Sequence, residues 1–319
     1  MSTHLPRLNR RVLTVFLLVA LPILVVGVAL VLAVGQARVR DAGGRHLEDV
    51  PRQTAASVDA YVFRRVLDVS LIGRSPELRR EAATASARPV DQKRIDQLER
   101  DWVNRQAESP ERAALLRSPA SRYLADLVSQ DRIYREMLLT DRAGRLVAAS
   151  GETSDYFQGD EDWWKAAAGN GRPPGASVSD VRWDDSTRTH AIEIAVPVFE
   201  PDSNAFAGLL KVVVDSRELR AAVGGVQLGS TGEAALLRRN GSIVFSRTTS
   251  DPNARFVGAE TLRDRLAAGD ADLLTGAFFR VVPPADAEPR MVGVAPSQLG
   301  RSYDNLQWIV AVSQSEQEL

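Results

Sequence analysis

The sequence of 319 residues lacks cysteine altogether and contains only three histidines. Without cysteine, the chain can form neither disulfide bonds nor thiolate metal sites. The histidines, His4, His46 and His190, are too scattered along the chain to indicate a metal cluster or a proton relay. The sequence therefore predicts no metal site and no cofactor.

Signatures of catalysis are also scarce. The glycine-rich segment 224–232 lacks the lysine of a phosphate-binding loop, and no G-x-S-x-G nucleophile elbow is present. Asp160, Glu161 and Asp162 are neighbouring carboxylates, but consecutive residues of a helix point in different directions. Paired catalytic carboxylates, in contrast, act from positions placed across a substrate. We therefore predict that the protein is not an enzyme.

Neither sign of charge is in excess. Forty Lys and Arg residues stand against 41 Asp and Glu residues, which gives a formal net charge of -1. A nucleic-acid-binding protein usually carries a basic surface, so we expect no nucleic-acid partner. The composition, 44% hydrophobic and 25% charged, is typical of a globular protein.

One long uncharged run is present, over residues 12–37. It exceeds the ~20 apolar residues that a membrane-spanning helix needs, and it is longer than the apolar core of ~7–15 residues in a secretion signal. Arg7, Arg10 and Arg11 precede the run, and such positive charge favours the cytoplasmic side. We predict a cytoplasmic tail over residues 1–11, a single transmembrane helix in the inner (cytoplasmic) membrane, and an extracytoplasmic remainder.

A polar, helix-prone region follows, over residues 38–132. Within it, apolar residues fall near i, i+3, i+4 and i+8, the spacing of one helical face: Val58, Tyr61, Val62, Val66 and Val69. This pattern predicts a helical stalk that holds the following part of the chain away from the bilayer.

From Tyr134 onward the pattern changes to short apolar runs. Glu136–Ser150 contains two such runs joined by a turn, which indicates a hairpin. A helix-like segment and three strand-like runs follow, and the same order begins again at Glu233. A repeat of this kind predicts two tandem units, over residues 133–219 and 220–317, each an antiparallel sheet flanked by helices.

The segment Asp155–Ala167, DYFQGDEDWWKAA, combines four acids with four aromatic residues. Asp160 is well placed to cap a helix, and the two acids after it would favour the helix dipole. The two tryptophans fit a hydrophobic core as well as the wall of a pocket. Helix capping does not explain the excess of negative charge in the surrounding sequence, because residues 155–215 contain eleven acids and five bases.

The order of these motifs resembles the double Cache domain, the PAS-like extracytoplasmic sensor of bacterial chemoreceptors, sensor histidine kinases and diguanylate cyclases. The resemblance rests on the stalk after a membrane span, DYFQGDEDWWKAA, GASVSD, a P-V strand, a strand ending in VVD and the turn GSTGEAALL. It implies an α+β fold class, with an N-terminal transmembrane helix, a long helical stalk and two tandem PAS-like antiparallel sheets flanked by helices. The first sheet would be membrane-distal and the second membrane-proximal.

In amino-acid-binding members of that family, aromatic residues and an arginine near the helix, with aspartates on later strands, hold the ligand. The matching positions, which the resemblance implies as ligand-binding residues, are Tyr156, Glu161, Trp163, Trp164, Asp180 and Asp215. Glu161 stands where the family has the arginine, and Val178 stands where it has a tyrosine two residues before the aspartate that matches Asp180. The carboxylates that hold an ammonium group are therefore kept, while the guanidinium that holds a carboxylate is lost.

This departure leads us to expect an amine-bearing or cationic ligand, held by charge-assisted hydrogen bonds and cation–π contacts. The resemblance also implies a homodimer and a relay of ligand occupancy through the stalk. Because the sequence contains no kinase or cyclase segment, we expect the output to come from a cytoplasmic domain of a longer receptor or from a separate signalling partner. An anchored extracytoplasmic scaffold without a small-molecule ligand is the alternative hypothesis.

Overall fold

The computed structural model describes residues 46–104, 109–169, 174–248, 254–270, 272–282 and 288–319. The predicted cytoplasmic tail and transmembrane helix, residues 1–37, lie outside this part of the chain. Within the described ranges, no helix combines the length and the apolar character needed to cross a membrane.

A long helix, α1, is described over residues 46–73. Its buried apolar residues recur every three or four positions and therefore lie on one face: Leu47, Ala55, Val58, Val62, Val66 and Val69. This face belongs to one hydrophobic core together with residues of both sheets described below. Helix α1 therefore packs against both sheets through one face.

Four shorter helices follow: α2 (Pro76–Ser86), α3 (Gln92–Val103), α4 (Pro110–Leu116) and α5 (Pro119–Gln130). The side chains of Asp91, Ser109 and Ser118 accept backbone N–H groups at the starts of α3, α4 and α5, which satisfies donors that a helix start leaves free. Leu78 of α2 and Leu124 of α5 are fully buried in the core shared with the first sheet. The region expected to be a stalk therefore consists of one long helix and shorter helices, of which α2 and α5 pack against a sheet.

The first sheet has the strand order β2-β1-β6-β5-β3, with β4 also paired to β5, and all pairs are antiparallel. The strands are β1 (Tyr134–Thr140), β2 (Leu146–Ala149), β3 (Ser177–Val178), β4 (Arg182–Asp184), β5 (Thr189–Phe199) and β6 (Phe206–Asp215). Helix α6 (Asp162–Ala168) lies between β2 and β3 in the sequence.

The second sheet has the order β8-β7-β11-β10-β9 and is again antiparallel. Its elements are α7 (Arg217–Gly224), β7 (Glu233–Arg238), β8 (Ile243–Ser246), α8 (Ala259–Ala267), α9 (Asp272–Thr275), β9 (Ala277–Val281), β10 (Arg290–Pro296) and β11 (Trp308–Ser315). The predicted α+β fold with two antiparallel sheets and flanking helices is confirmed.

Strand register separates the first sheet into two faces, because residues directly paired across antiparallel strands point to the same side. Ile194 pairs with Val212, and both are buried in the core that contains α1. We call the opposite side the outer face. It carries Lys211, which pairs with Ala195 on one side and with Leu138 on the other.

Candidate functional site

Helix α6 covers the outer face of the first sheet. It begins at Asp162 with Glu161 rather than Asp160 as its N-cap residue, and it ends at Gly169, whose φ of 99° places it in the left-handed region that favours glycine. Trp163 packs in one cluster with Ala195 and Leu209. The aromatic side chain of α6 therefore lies directly over β5 and β6.

Trp163 contributes two unusual features to this face. Its side chain is only 8% exposed, and its indole N–H has no hydrogen-bond partner among the described residues. The Nζ atom of Lys211 lies 5.2 Å from the centre of the Trp163 ring, which is within the range of a cation–π interaction. A buried donor without an acceptor costs about 1–3 kcal/mol, so this N–H is available to donate a hydrogen bond to an oxygen atom of a bound molecule.

A buried ion pair lies next to Trp163. The Nζ atom of Lys211 is 2.6 Å from Oε1 of Glu193, and Arg182 approaches the other oxygen of the same carboxylate at 3.6 Å. The side chains of Lys211 and Glu193 are 10% and 19% exposed. Because the two side chains are largely removed from water, the attraction between their charges is screened less than in a surface ion pair.

A third charged residue of the outer face, Glu136, has no such partner. Glu136 pairs with Val213 of β6, and Val213 pairs with Glu193 of β5, so the two glutamates flank one strand on the same side. The carboxylate of Glu136 makes no hydrogen bond or ion pair with any residue that the structure describes. Burial raises the pKa of Glu136 to about 7; Lys211 opposes this rise, while Asp184 and Glu193 add to it.

Two further acids near this face are held by local hydrogen bonds. Oδ1 of Asp184 accepts hydrogen bonds from the hydroxyls of Ser186 and Thr187 and from the backbone N–H of Thr187, each at 2.7 Å. Burial acts against ionisation of Asp184, but these bonds lower its pKa overall. Oδ1 of Asp155 accepts from the side chains of Ser154 and Gln158.

Of the residues predicted from the resemblance, Trp163 and Trp164 lie on the outer face. Trp164 is half-buried and donates from Nε1 to the hydroxyl of Thr140 at 3.1 Å. Glu161 is exposed and makes no side-chain capping bond. The carboxylate at the position of the family's arginine therefore stands at the edge of the site, near solvent.

Tyr156 lies beside the outer face rather than under α6. Its ring centre is 5.6 Å from that of Trp102, and both rings pack against Leu138. Tyr156 also lines a cavity of about 600 Å³ among α2, α3, α4 and β2, together with Arg88 and Arg145. Burial raises the pKa of Tyr156, while Arg145 opposes the rise.

The two predicted aspartates are engaged by protein partners. Asp180 accepts from Nε of Arg238 at 2.5 Å and from Nε1 of Trp308 at 2.9 Å, both in the second sheet. Asp215 is 3% exposed and lies 3.0 Å from Nε of Arg217. The structure thus places the Asp180 carboxylate at the junction between the sheets and the Asp215 carboxylate in a local ion pair.

Sequence reasoning missed Glu136, Glu193 and Lys211. Each is a charged residue within a largely apolar strand, where β1 also carries Arg135 and β6 ends in Asp215, and a charge in such a strand is a signal that a sequence can show. Only the register of β1, β6 and β5 reveals that the three share one face.

The chain matches the family model of the Cache domain over residues 55–319. The ligand-binding domain of the Campylobacter jejuni chemoreceptor Tlp3, solved with 4-methylisoleucine, is 12% identical with a TM-score of 0.52, covering 86% of this chain and 91% of that one. The ligand-binding domain of the Pseudomonas fluorescens chemoreceptor CtaA, solved with L-isoleucine, is 15% identical with a TM-score of 0.52, covering 89% and 97%. At these identities the likeness is one of fold. No curated protein matches the sequence significantly.

Proposed function

Because this chain belongs to the Cache domain family, as a double Cache domain, we propose that it is an extracytoplasmic sensor domain that binds a small molecule at the outer face of its first sheet. The carrying observation is the buried indole N–H of Trp163, which lacks a partner among the described residues and belongs to a ring that lies over Lys211 of the largely buried Lys211–Glu193 ion pair. Buried polar groups are normally satisfied within a protein, so unsatisfied ones under a covering helix support a ligand site. The similar chemoreceptor domains contain amino-acid ligands.

The charge of the site supports an amine-bearing or cationic ligand. Glu136, Glu193 and Glu161 lie on or beside the outer face. Two cations of the same face, Lys211 and Arg182, are both engaged by Glu193. An ammonium group would therefore meet a negative potential, and the ring of Trp163 adds cation–π attraction. The unsatisfied indole N–H of Trp163 can donate a hydrogen bond to an oxygen atom of the same ligand.

We place Trp163 at the centre of this site, with Tyr156, Glu161 and Trp164 at its edge. Asp180 and Asp215 belong to it only if ligand binding releases them from Arg238 and Arg217. This condition is testable, because a ligand that recruits Asp180 must weaken the contact between the two sheets.

Isothermal titration calorimetry of the purified full chain tests the proposed function. We expect ethylammonium, choline and putrescine to bind more tightly than acetate and succinate, and the Trp163→Ala variant to bind them at least about tenfold more weakly. Tight binding of succinate without binding of any amine would contradict the ligand class. A melting temperature that does not change on addition of amines, amino acids or carboxylates would favour the scaffold alternative.

We further propose that occupancy is relayed through α1. The helix contacts both units: the hydroxyl of Tyr61 donates to the backbone oxygen of Asp215 at 3.5 Å, and Asp59 accepts from the hydroxyl of Ser297 at 2.5 Å. A small shift of α1 is the kind of motion by which a bound ligand biases a distant element. Since the chain has no native cysteine, spin labels at two introduced cysteines can measure that shift without background.

The predicted homodimer has a candidate surface on α1. Phe63, Leu67 and Leu71 are 41%, 59% and 56% exposed and recur every four residues, opposite the buried face. We propose that this stripe packs against the same stripe of a second chain, both anchored through the predicted span at residues 12–37. Sedimentation analysis of Leu67→Glu should show loss of the dimer, and an unchanged dimer would place the interface elsewhere.

A further inference from the structure

Glu136 differs from the other acids around the outer face. Glu193 is paired with Lys211, Asp184 accepts three hydrogen bonds from its own turn, and Asp155 accepts two from neighbouring side chains. Glu136 has none with any described residue. Glu161 is also free, but it is exposed, whereas Glu136 is half-buried.

The surroundings of Glu136 favour its neutral form when nothing else is bound. Lys211 on β6 is the cation that opposes the rise in the pKa of Glu136, and it is already paired with Glu193 on β5, as is Arg182 on β4 at a longer distance. Asp184 on β4 and Asp155 in the loop before α6 add negative charge. Together with partial burial, these three carboxylates raise the cost of a fourth negative charge.

From this geometry we infer that Glu136 is the anionic contact for the ammonium group of the ligand, and that in the empty site it holds a proton that binding releases. The inference rests on the proposed function, since it deepens the account of the same site. On binding, the O–H bond of Glu136 breaks and its proton passes to solvent, while the ligand keeps its own ammonium protons. No covalent bond forms between protein and ligand.

Proton release makes the affinity for amines depend on pH. A carboxyl that titrates at about 7 is largely neutral at about pH 6 and largely charged at about pH 8. Because the charged form is the one that binds an ammonium, the dissociation constant for an amine should fall about tenfold between these values. Binding at about pH 6 should also release about 0.9 proton per site.

Calorimetric titration of the full chain with ethylammonium chloride and choline chloride tests this inference. Ethylammonium stays protonated over this range, as a lysine side chain does, and choline carries a permanent charge, so neither probe titrates. Measurements in two buffers of different ionisation heat count the protons released. We expect about tenfold tighter binding at about pH 8 than at about pH 6, with proton release, for the wild type.

Glu136→Gln keeps the shape of the side chain but cannot ionise. It should bind both probes more weakly, with no pH dependence and no proton release. Glu260→Gln, an exposed change on α8 of the second unit, is the matched control and should behave as the wild type. A carboxyl carbon NMR titration of the ligand-free protein should place the midpoint of Glu136 near 7.

The outcomes separate the two proposals. Amine binding that is independent of pH, or that keeps its pH dependence in Glu136→Gln, overturns the role of Glu136 and leaves the proposed function in place. A ligand-free midpoint near the ordinary value of a glutamate likewise overturns it. Binding of neither probe at either pH overturns both proposals.

Discussion

The two units follow the same order of elements, but the sheet faces that lie away from α1 are built differently. In the first unit this face carries Glu136, Glu193 and Lys211, and α6 packs on its β5 and β6 part. In the second unit it is an apolar cluster covered by α8 and α9: Ala235, Leu237, Leu262, Leu273, Val292, Val294, Ile309 and Ala311.

The same sheet face is thus part of a hydrophobic core in one unit and carries charged residues in the other. A face filled by aliphatic side chains stabilises the fold and leaves no group free for a ligand. A face with largely buried charges costs stability through desolvation. Such a cost is typical of a functional site, so the contrast points to the first unit as the one that binds.

The largest effect should come from placing a charge on the apolar face of the second unit. Leu237 is fully buried there and packs in one cluster with Phe256 and Leu262. Leu237→Glu buries a carboxylate without a partner, so we expect a loss of about 4 kcal/mol in the free energy of unfolding. Urea denaturation measures this, and a loss below about 1 kcal/mol would mean that the two faces tolerate charge equally.

Removal of the lysine from the first face should have the next largest effect. Lys211→Ala leaves Glu193 with only the more distant Arg182, and we expect a loss of about 2–3 kcal/mol in the free energy of unfolding. Arg280→Ala is the control in the second unit, because Arg280 forms an exposed ion pair with Glu316. That control should cost no more than about 0.5–1 kcal/mol in the same urea experiment. Equal losses would show that the first pair is effectively a surface pair.

A matched pair of tryptophan variants gives a smaller and more specific difference. Trp308→Phe removes the indole hydrogen bond to Asp180 at the junction of the sheets, and we expect it to cost about 1.5–2 kcal/mol. Trp163→Phe removes an N–H without a partner, so it loses no hydrogen bond and relieves the burial cost of about 1–3 kcal/mol, which offsets the packing lost with the smaller ring. Thermal unfolding of both variants checks this, and a larger loss for Trp163→Phe would imply that its N–H is already bonded in the free protein.

The last prediction concerns the effect of pH on stability through Glu136. The folded-state pKa of about 7 lies above the ordinary glutamate value, so the stability that its neutral form provides is present in acid and is lost as pH rises through 7. Glu136→Gln should therefore match the wild type at about pH 4 and exceed it by about 3 kcal/mol at about pH 8. Denaturation at both pH values tests the sign. A variant that is less stable at about pH 8 would show that the charged form is favoured in the free protein.

Much of the architecture follows from local patterns that a sequence displays. The helix-prone region predicted over residues 38–132 contains α1 to α5. A hairpin followed by a helix and further strands is present in both units, with four strands after α6 in the first and three after α9 in the second among the described residues. These features depend on periodicity and on capping and turn residues, which act over a few positions. The packing of α2 and α5 on the first sheet was not predicted, because an apolar helical face does not identify what it packs against.

The candidate site was less accessible to the same reasoning. The segment around Trp163 drew attention to α6, and Trp163 does lie on the outer face. Asp180 looked equally suitable, yet its carboxylate bonds Arg238, 58 positions further along the chain. A carboxylate carries the same charge in either setting, and only its neighbours in space decide which cation it meets.

What the sequence by itself determined is the α+β plan of two tandem antiparallel units and the aromatic, acid-rich helix between the strands of the first. The tertiary structure alone decided that Glu136, Lys211 and Glu193 share one covered face and that Glu136 is the member left without a partner. The physical reason is that side-chain periodicity is a local property of the backbone. The register that aligns β1, β6 and β5, and with it the electrostatics of the site, is set by contacts between residues far apart in the chain.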